Sequence, residues 1–157
     1  MAVEMSGMDD VIRRLEAMRS RMGNLMPVLE VALADTTALI DDSFEHGADP
    51  AGSPWAVLAP STERKRRGTA PYKKLVDTGM LRRSVHGRAD ARSMIFGVHE
   101  GIGIFHQYGT TRMPQRRFLP IVGSVGSTQL DRQGAAGIHW SAVRAMIVQY
   151  IRTGVVS

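Results

Sequence analysis

Apolar residues recur at helical intervals through the first third of the chain. Val11, Ile12, Leu15, Met18 and Met22 lie on one face of a 3.6-residue repeat, which predicts a helix over about 8–22. Asp9 or Ser6 stands where a cap belongs, and Arg13, Arg14, Arg19 and Arg21 follow the opening acids, the charge order that a helix dipole favours. Met1 to Gly7 ahead of it shows no periodicity and reads as a flexible lead. After Gly23-Asn24 a wider stripe begins: Leu25, Leu29, Ala32, Leu33, Thr36, Leu39, Ile40, Ser43 and Phe44, with Glu30, Asp35, Asp41, Asp42 and Glu45 opposite. This predicts a second helix over 25–46, capped by Asn24, tolerating Pro27 in its first turn and stopped near Gly47. A third stripe, Val143, Met146, Ile147, Tyr150 and Ile151, predicts a C-terminal helix within 138–153, helical from about 140, with Ser141 as its cap and Gly154 as its end.

Between these helices the period changes. Arg92 to His99 brings in Met94, Phe96 and Val98 at alternate positions, which predicts a strand with Val85 to Arg88 as its antiparallel partner across Ala89-Asp90-Ala91. Phe118 to Val122 reads as a further strand. Ala48 to Pro54 is a loop, followed by a short anchor at Trp55, Val57 and Leu58. Ser61 or Thr62 can cap a short basic segment, Glu63 to Arg67, which Gly68 to Pro71 breaks, and Asp77-Thr78-Gly79 is a turn. The glycine- and serine-rich 123–137 segment reads as a linker. The predicted fold class is α+β: amphipathic helices packed on one face of a small, mainly antiparallel sheet from the 83–122 region, with long flexible loops at 59–74 and 123–137. One domain, 1–157, holds the N-terminal helices (8–46), an α/β core with its basic loop (50–122), the 123–137 linker and the 138–153 helix.

Composition narrows the chemistry. The 157 residues include no cysteine, so disulfides and thiolate chemistry are excluded, in keeping with a reducing compartment. Apolar runs fall short of the ~20 residues of a membrane helix, and the start lacks the order of a signal peptide; no membrane is implied. The net charge of +5 conceals a polarity, since residues 1–50 carry ten acids to four arginines, and residues 51–157 carry sixteen basic groups to five acids. An acidic front and basic back can attract successive copies end to end, or can be two solvated faces. No two of His46, His86, His99, His106 and His139 lie at the spacing of a helical metal pair. Gly123-Ser124-Val125-Gly126-Ser127 is not a nucleophile elbow, and neither a dinucleotide fingerprint nor a Walker loop is present. No catalytic residue, metal or cofactor is expected, and the chain does not read as an enzyme. Ten basic residues against three acids between 61 and 92 keep open a sequence-independent DNA-binding alternative.

The densest stretch is Ile104 to Pro120. It holds Phe105, Tyr108 and Phe118, out of four Phe and three Tyr in the chain, around Gly109 and two prolines. Gly109 can turn the chain with a positive φ, and Pro114 holds Met113 extended. His106-Gln107-Tyr108-Gly109, a polar spacer and Met113-Pro114-Gln115-Arg116-Arg117-Phe118-Leu119-Pro120 follow Pro54-Trp55 with Leu58, the basic 62–67 run, Leu75 to Val85, and Phe96-Gly97-Val98 in order. This succession, over about 50–120, resembles the virion morphogenesis, or tail-completion, family of tailed bacteriophages (Mu-like). The resemblance implies a structural protein of the neck or tail end, assembled in the host cytoplasm and acting in tail completion and head-to-tail joining. Its implied partners are further copies in a ring, with a hexamer expected, together with tail terminator, tail tube or head-connector proteins, close to packaged DNA. The protein-interface candidates are Arg64, Arg66, Arg67, His106, Tyr108, Arg112, Arg116, Arg117 and Phe118. For Arg116 and Arg117 two readings stand: a fork for a partner's carboxylates, or one arginine lying across the domain's own core edge with its stem packed and its head in water.

Overall fold

The computed structural model describes residues 7–66, 74–99 and 101–156. In chain order these form α1 (Met8–Gly23), α2 (Met26–His46), α3 (Pro60–Arg66), α4 (Met80–Arg83), β1 (Val85–Ala89), β2 (Met94–Val98), α5 (Ile102–Tyr108), β3 (Ile121–Ser124), β4 (Ser127–Leu130) and α6 (Gly134–Thr153). The α+β class is as expected. Residues 67–73 of the 59–74 arm, Arg67 among them, lie outside the described residues.

The apolar stripe of α2 is the spine of the core. Val28, Leu29, Ala32, Ile40 and Phe44 are buried along it. Its two buried hydroxyls are satisfied one turn back, Thr36 donating to the Ala32 carbonyl and Ser43 to that of Leu39. Around its C-terminal half, Ile40 and Phe44 pack with Trp55, Leu75, Leu81, Phe118 and Leu119. The Phe44 ring meets Trp55 edge-on at 5.7 Å and Phe118 at 5.4 Å, geometries that aromatic quadrupoles favour.

The first sheet is the expected hairpin, β1 pairing antiparallel with β2 from Val85↔Val98 to Ala89↔Met94. Asp90 closes its turn by accepting the amides of Arg92 and Ser93 and the Ser93 hydroxyl. Helix α2 crosses this hairpin at Gly87, where a Cβ would stand 2.4 Å from Leu33 Cδ1. β3 does not extend that sheet. It pairs with β4, from Ile121↔Leu130 to Ser124↔Ser127, so the single sheet expected over 83–122 is two separate hairpins.

The 123–137 stretch is likewise not a linker. Its first half is the β3–β4 hairpin and its second half opens α6, which starts at Gly134 rather than near 140. Ser141 is therefore interior, its hydroxyl bonded to the Gly137 carbonyl. Gly123, Gly134 and Gly137 serve close approach instead, and Gly126 a positive-φ turn. Gly134 sits at φ 52°, and a Cβ there would lie 1.9 Å from the Ala51 carbonyl oxygen, while the Ala136 amide donates to Pro50 O. α6 packs on α2 and α1, and Arg21 of α1 donates to the carbonyls of Ile151 and Arg152 at its C-terminus, where a cation is favoured.

α5 and the chain after it are joined by one side chain. Gln107 is buried, its Oε1 accepting the amides of Phe118 (3.1 Å) and Leu119 (3.0 Å) and its Nε2 donating to Ile121 O (3.1 Å) and, at longer range, to Leu119 O. Gln115 Nε2 donates back to Gln107 O, and the Arg116 amide to His106 O. Gly109 makes the expected reversal at φ 72°. Because leaving a buried donor unpaired costs about 1–3 kcal/mol, Gln107→Leu, which orphans two amides, is expected to lower unfolding free energy by roughly 2–5 kcal/mol. Urea titration checks this, and a loss well under 1 kcal/mol contradicts it.

Candidate functional site

Residues 116–118 send three successive side chains to three places. Phe118 is wholly enclosed against Phe44, so it is a core residue of the subunit and not the outward contact expected of it. Arg117 meets two carboxylates of its own chain, Asp49 Oδ2 at 2.6 Å and Asp131 Oδ2 at 3.2 Å. Their remaining oxygens are also engaged, Asp49 Oδ1 by the amides of Ala51 and Ser53 and Asp131 Oδ1 by that of Gln133. Trp55 Nε1 donates to the Arg117 carbonyl at 2.6 Å. The head of this arginine is thus held by carboxylates of its own chain, which is neither of the two expected arrangements.

Arg116 differs. It is only 5% exposed, its Nε and Nη2 donate to the carbonyls of Ala56 (3.0 Å) and Val57 (2.8 Å), and no carboxylate among the described residues pairs with it. Burial pulls its pKa below the ordinary arginine value. Beside it, His106 Nδ1 is buried without a hydrogen-bond partner among the described residues, and burial, then the Arg116 charge, hold the imidazole below its ordinary pKa.

Both side chains line a groove of about 900 Å³. One wall is the 57–62 segment, another the 77–80 turn leading into α4, and a third α5 with the Arg112–Pro114 turn; Leu75 and Leu81 lie within it. The lining is mainly apolar, with Asp77 as its carboxylate. Its rim exposes large hydrophobic side chains: Val57 at 77%, Met80 at 54% and Ile102 at 52%, with Ile104 and Phe105 also exposed on α5.

The other interface candidates are scattered. Arg112 is exposed on the groove's edge, in a turn where its amide donates to Thr110 Oγ1. Tyr108 is half-buried at the end of α5, Arg64 is exposed on α3, and Arg66 ends α3. Within the described part of the basic 61–92 region, three cations have partners in the chain itself. Arg82 pairs with Asp41 and Glu45 of α2, Arg83 donates to Thr78 O, and Lys74 to Trp55 O. The residues that sequence reading missed are Gln107, Asp49 and Asp131. An amide inside an otherwise apolar helical run is a signal for the first; for the two aspartates, each in a loop far from Arg117 in sequence, there is none.

A second, half-buried imidazole, His139, is also held below its ordinary pKa by burial, partly offset by Asp35. Its Nε2 lies 2.9 Å from Thr36 Oγ1, whose proton goes to Ala32 O, so Nε2 is the donor. For both histidines the unfolded chain binds protons more readily than the folded one. Stability is therefore full above about pH 6.5, the ordinary histidine value, and falls as pH drops below it. Proton NMR titration is expected to give midpoints under 6.5 for both rings, and a midpoint at or above 6.5 for either contradicts this environment.

Among the described residues no helix is long and apolar enough to cross a membrane, and no group of three or more His, Asp or Glu is placed to hold a metal. No curated protein and no solved structure matches the chain. The phage virion morphogenesis family model matches residues 3–143, extending beyond the 50–120 blocks to include α1, α2 and the first half of α6. The chain belongs to the phage virion morphogenesis family.

Proposed function

We propose that this protein completes the phage tail and joins it to the head by associating with copies of itself into a closed ring at the neck. Membership of a virion morphogenesis family supports an assembly role in the virion. The observation that carries the finer reading is the groove with its apolar rim. Exposed Val57, Met80 and Ile102 side chains lining a concave, mainly apolar groove, with Phe105 exposed on the same short helix as Ile102, suit a subunit interface. The groove's cations, Arg112 and Arg116, add charge selection to that apolar contact. Ring closure demands a head-to-tail contact between two different surfaces of the subunit. The polarity of the chain, acidic through residue 50 and basic beyond it, supplies a directional attraction between copies. Six copies is the expected count, and tail terminator, tail tube or head-connector proteins are the neighbours to be contacted above and below the ring.

Electron microscopy and native mass spectrometry of the purified protein, alone and with tails, test this reading. A closed ring of uniform subunit number is expected; a protein monomeric at every concentration and in the presence of tails contradicts it. Ile102→Asp, on the rim and half exposed, is expected to keep the circular dichroism spectrum and shift the equilibrium at least tenfold towards monomer. Particles carrying it should accumulate as separate heads and tails, whereas normal virion yield contradicts the assignment.

A further inference from the structure

The groove's occupant can be narrowed on the reading that the protein forms rings, on which this inference rests. α1 is a 16-residue amphipathic helix with no buried residue at all. Met8, Val11, Ile12 and Leu15 lie along it, each roughly half exposed. Its contacts are chiefly with α6, where Arg21 fastens its C-terminal end, and no residue of α1 lines the groove. The half of the stripe nearer the N-terminus stays exposed, and an amphipathic helix is marginal in water unless its apolar stripe is covered.

Charge indicates the same partner. Residues 1–12 contain Glu4, Asp9 and Asp10 and no basic side chain, and the arginines of α1 begin only at Arg13. The two acids of its first turn outweigh the positive end of the helix dipole. Asp10 is engaged by Arg13 and Arg14, which leaves Asp9 as the outward carboxylate of that turn. On the receiving side, Arg116 is a nearly buried guanidinium that meets carbonyls but no carboxylate among the described residues, and Arg112 stands at the edge. Asp77 also lines the groove and offsets part of this charge.

We infer that the first two turns of α1 from one copy dock in the groove of the next, with Met8, Val11 and Ile12 on its apolar wall and Asp9 directed at Arg116. Such a contact joins two different surfaces, so repetition carries it around a ring or along a filament. It places the acidic front of one copy on the basic back of its neighbour.

The chain has no cysteine, which allows a clean test. Ile12→Cys and Val57→Cys are made in separate preparations, mixed under ring-forming conditions and oxidised. A disulfide-linked heterodimer is expected to exceed by at least tenfold that from Ile12→Cys mixed with Val148→Cys, an exposed position on α6. Asp9→Arg is expected to weaken association at least tenfold without loss of helix signal. Rings that form normally while the Ile12–Val57 pair does not exceed the control overturn this docking and leave the ring reading in place. A protein that never associates overturns both.

Discussion

The fold turns on a requirement for buried backbone groups: the amides and carbonyls of residues 116–121 lie in the interior, where each needs a partner. No neighbouring strand provides them before β3 begins. Gln107 does so instead, one amide side chain accepting from Phe118 and Leu119 and donating to Ile121. His106 O takes the Arg116 amide, and the Asp131 amide and the Trp140 indole close on Pro120 O. A side-chain carboxamide does this because it alone offers both an acceptor and a two-proton donor in one plane. With the backbone fixed, Phe118 is held in the core, Arg117 between two aspartates and Arg116 at the groove.

The two arginines show how one sequence motif divides into structure and surface. Arg117 ties the 49–53 loop, the segment after β4 and the chain leaving α5 into one cluster through Asp49 and Asp131. A buried pair of this kind fixes which segments meet more than it adds net stability, since desolvation offsets much of the attraction. Arg116 meets no such carboxylate among the described residues, although it is more enclosed than Arg117. Two guanidiniums adjacent in sequence thus meet different partners, carboxylates for Arg117 and backbone carbonyls at the groove for Arg116.

Much of the architecture was legible because it depends on local pattern. The stripes of α1 and α2 and the alternation in β2 are periodic, and Gly47, Gly109 and Gly154 end helices where glycine does so at least cost. The failures came where composition stood in for geometry. Glycines at 123–137 suggested slack chain, yet Gly134 is required because the Ala51 carbonyl passes within a van der Waals radius of where a Cβ would be. Phe118 stands among the interface candidates, whereas the aromatic faces inward and the exposed apolar groups nearby include Val57, Met80, Ile102 and Phe105. Which side a residue faces in an irregular segment depends on partners distant in sequence, such as Asp49 and Asp131 for Arg117. No period encodes those.

A subunit that functions by fitting its neighbours must hold its docking surface ready before they arrive, because ordering it on contact would subtract from affinity. Amide hydrogen exchange, measured on the isolated subunit and on assembled tails, addresses that requirement directly. The account predicts that the Phe118 and Leu119 amides are already strongly protected in the isolated subunit and that assembly adds protection at 57–62, 80–81 and 102–106. Rapid exchange at Phe118 and Leu119 before assembly, or unchanged exchange around the groove after it, would contradict the account.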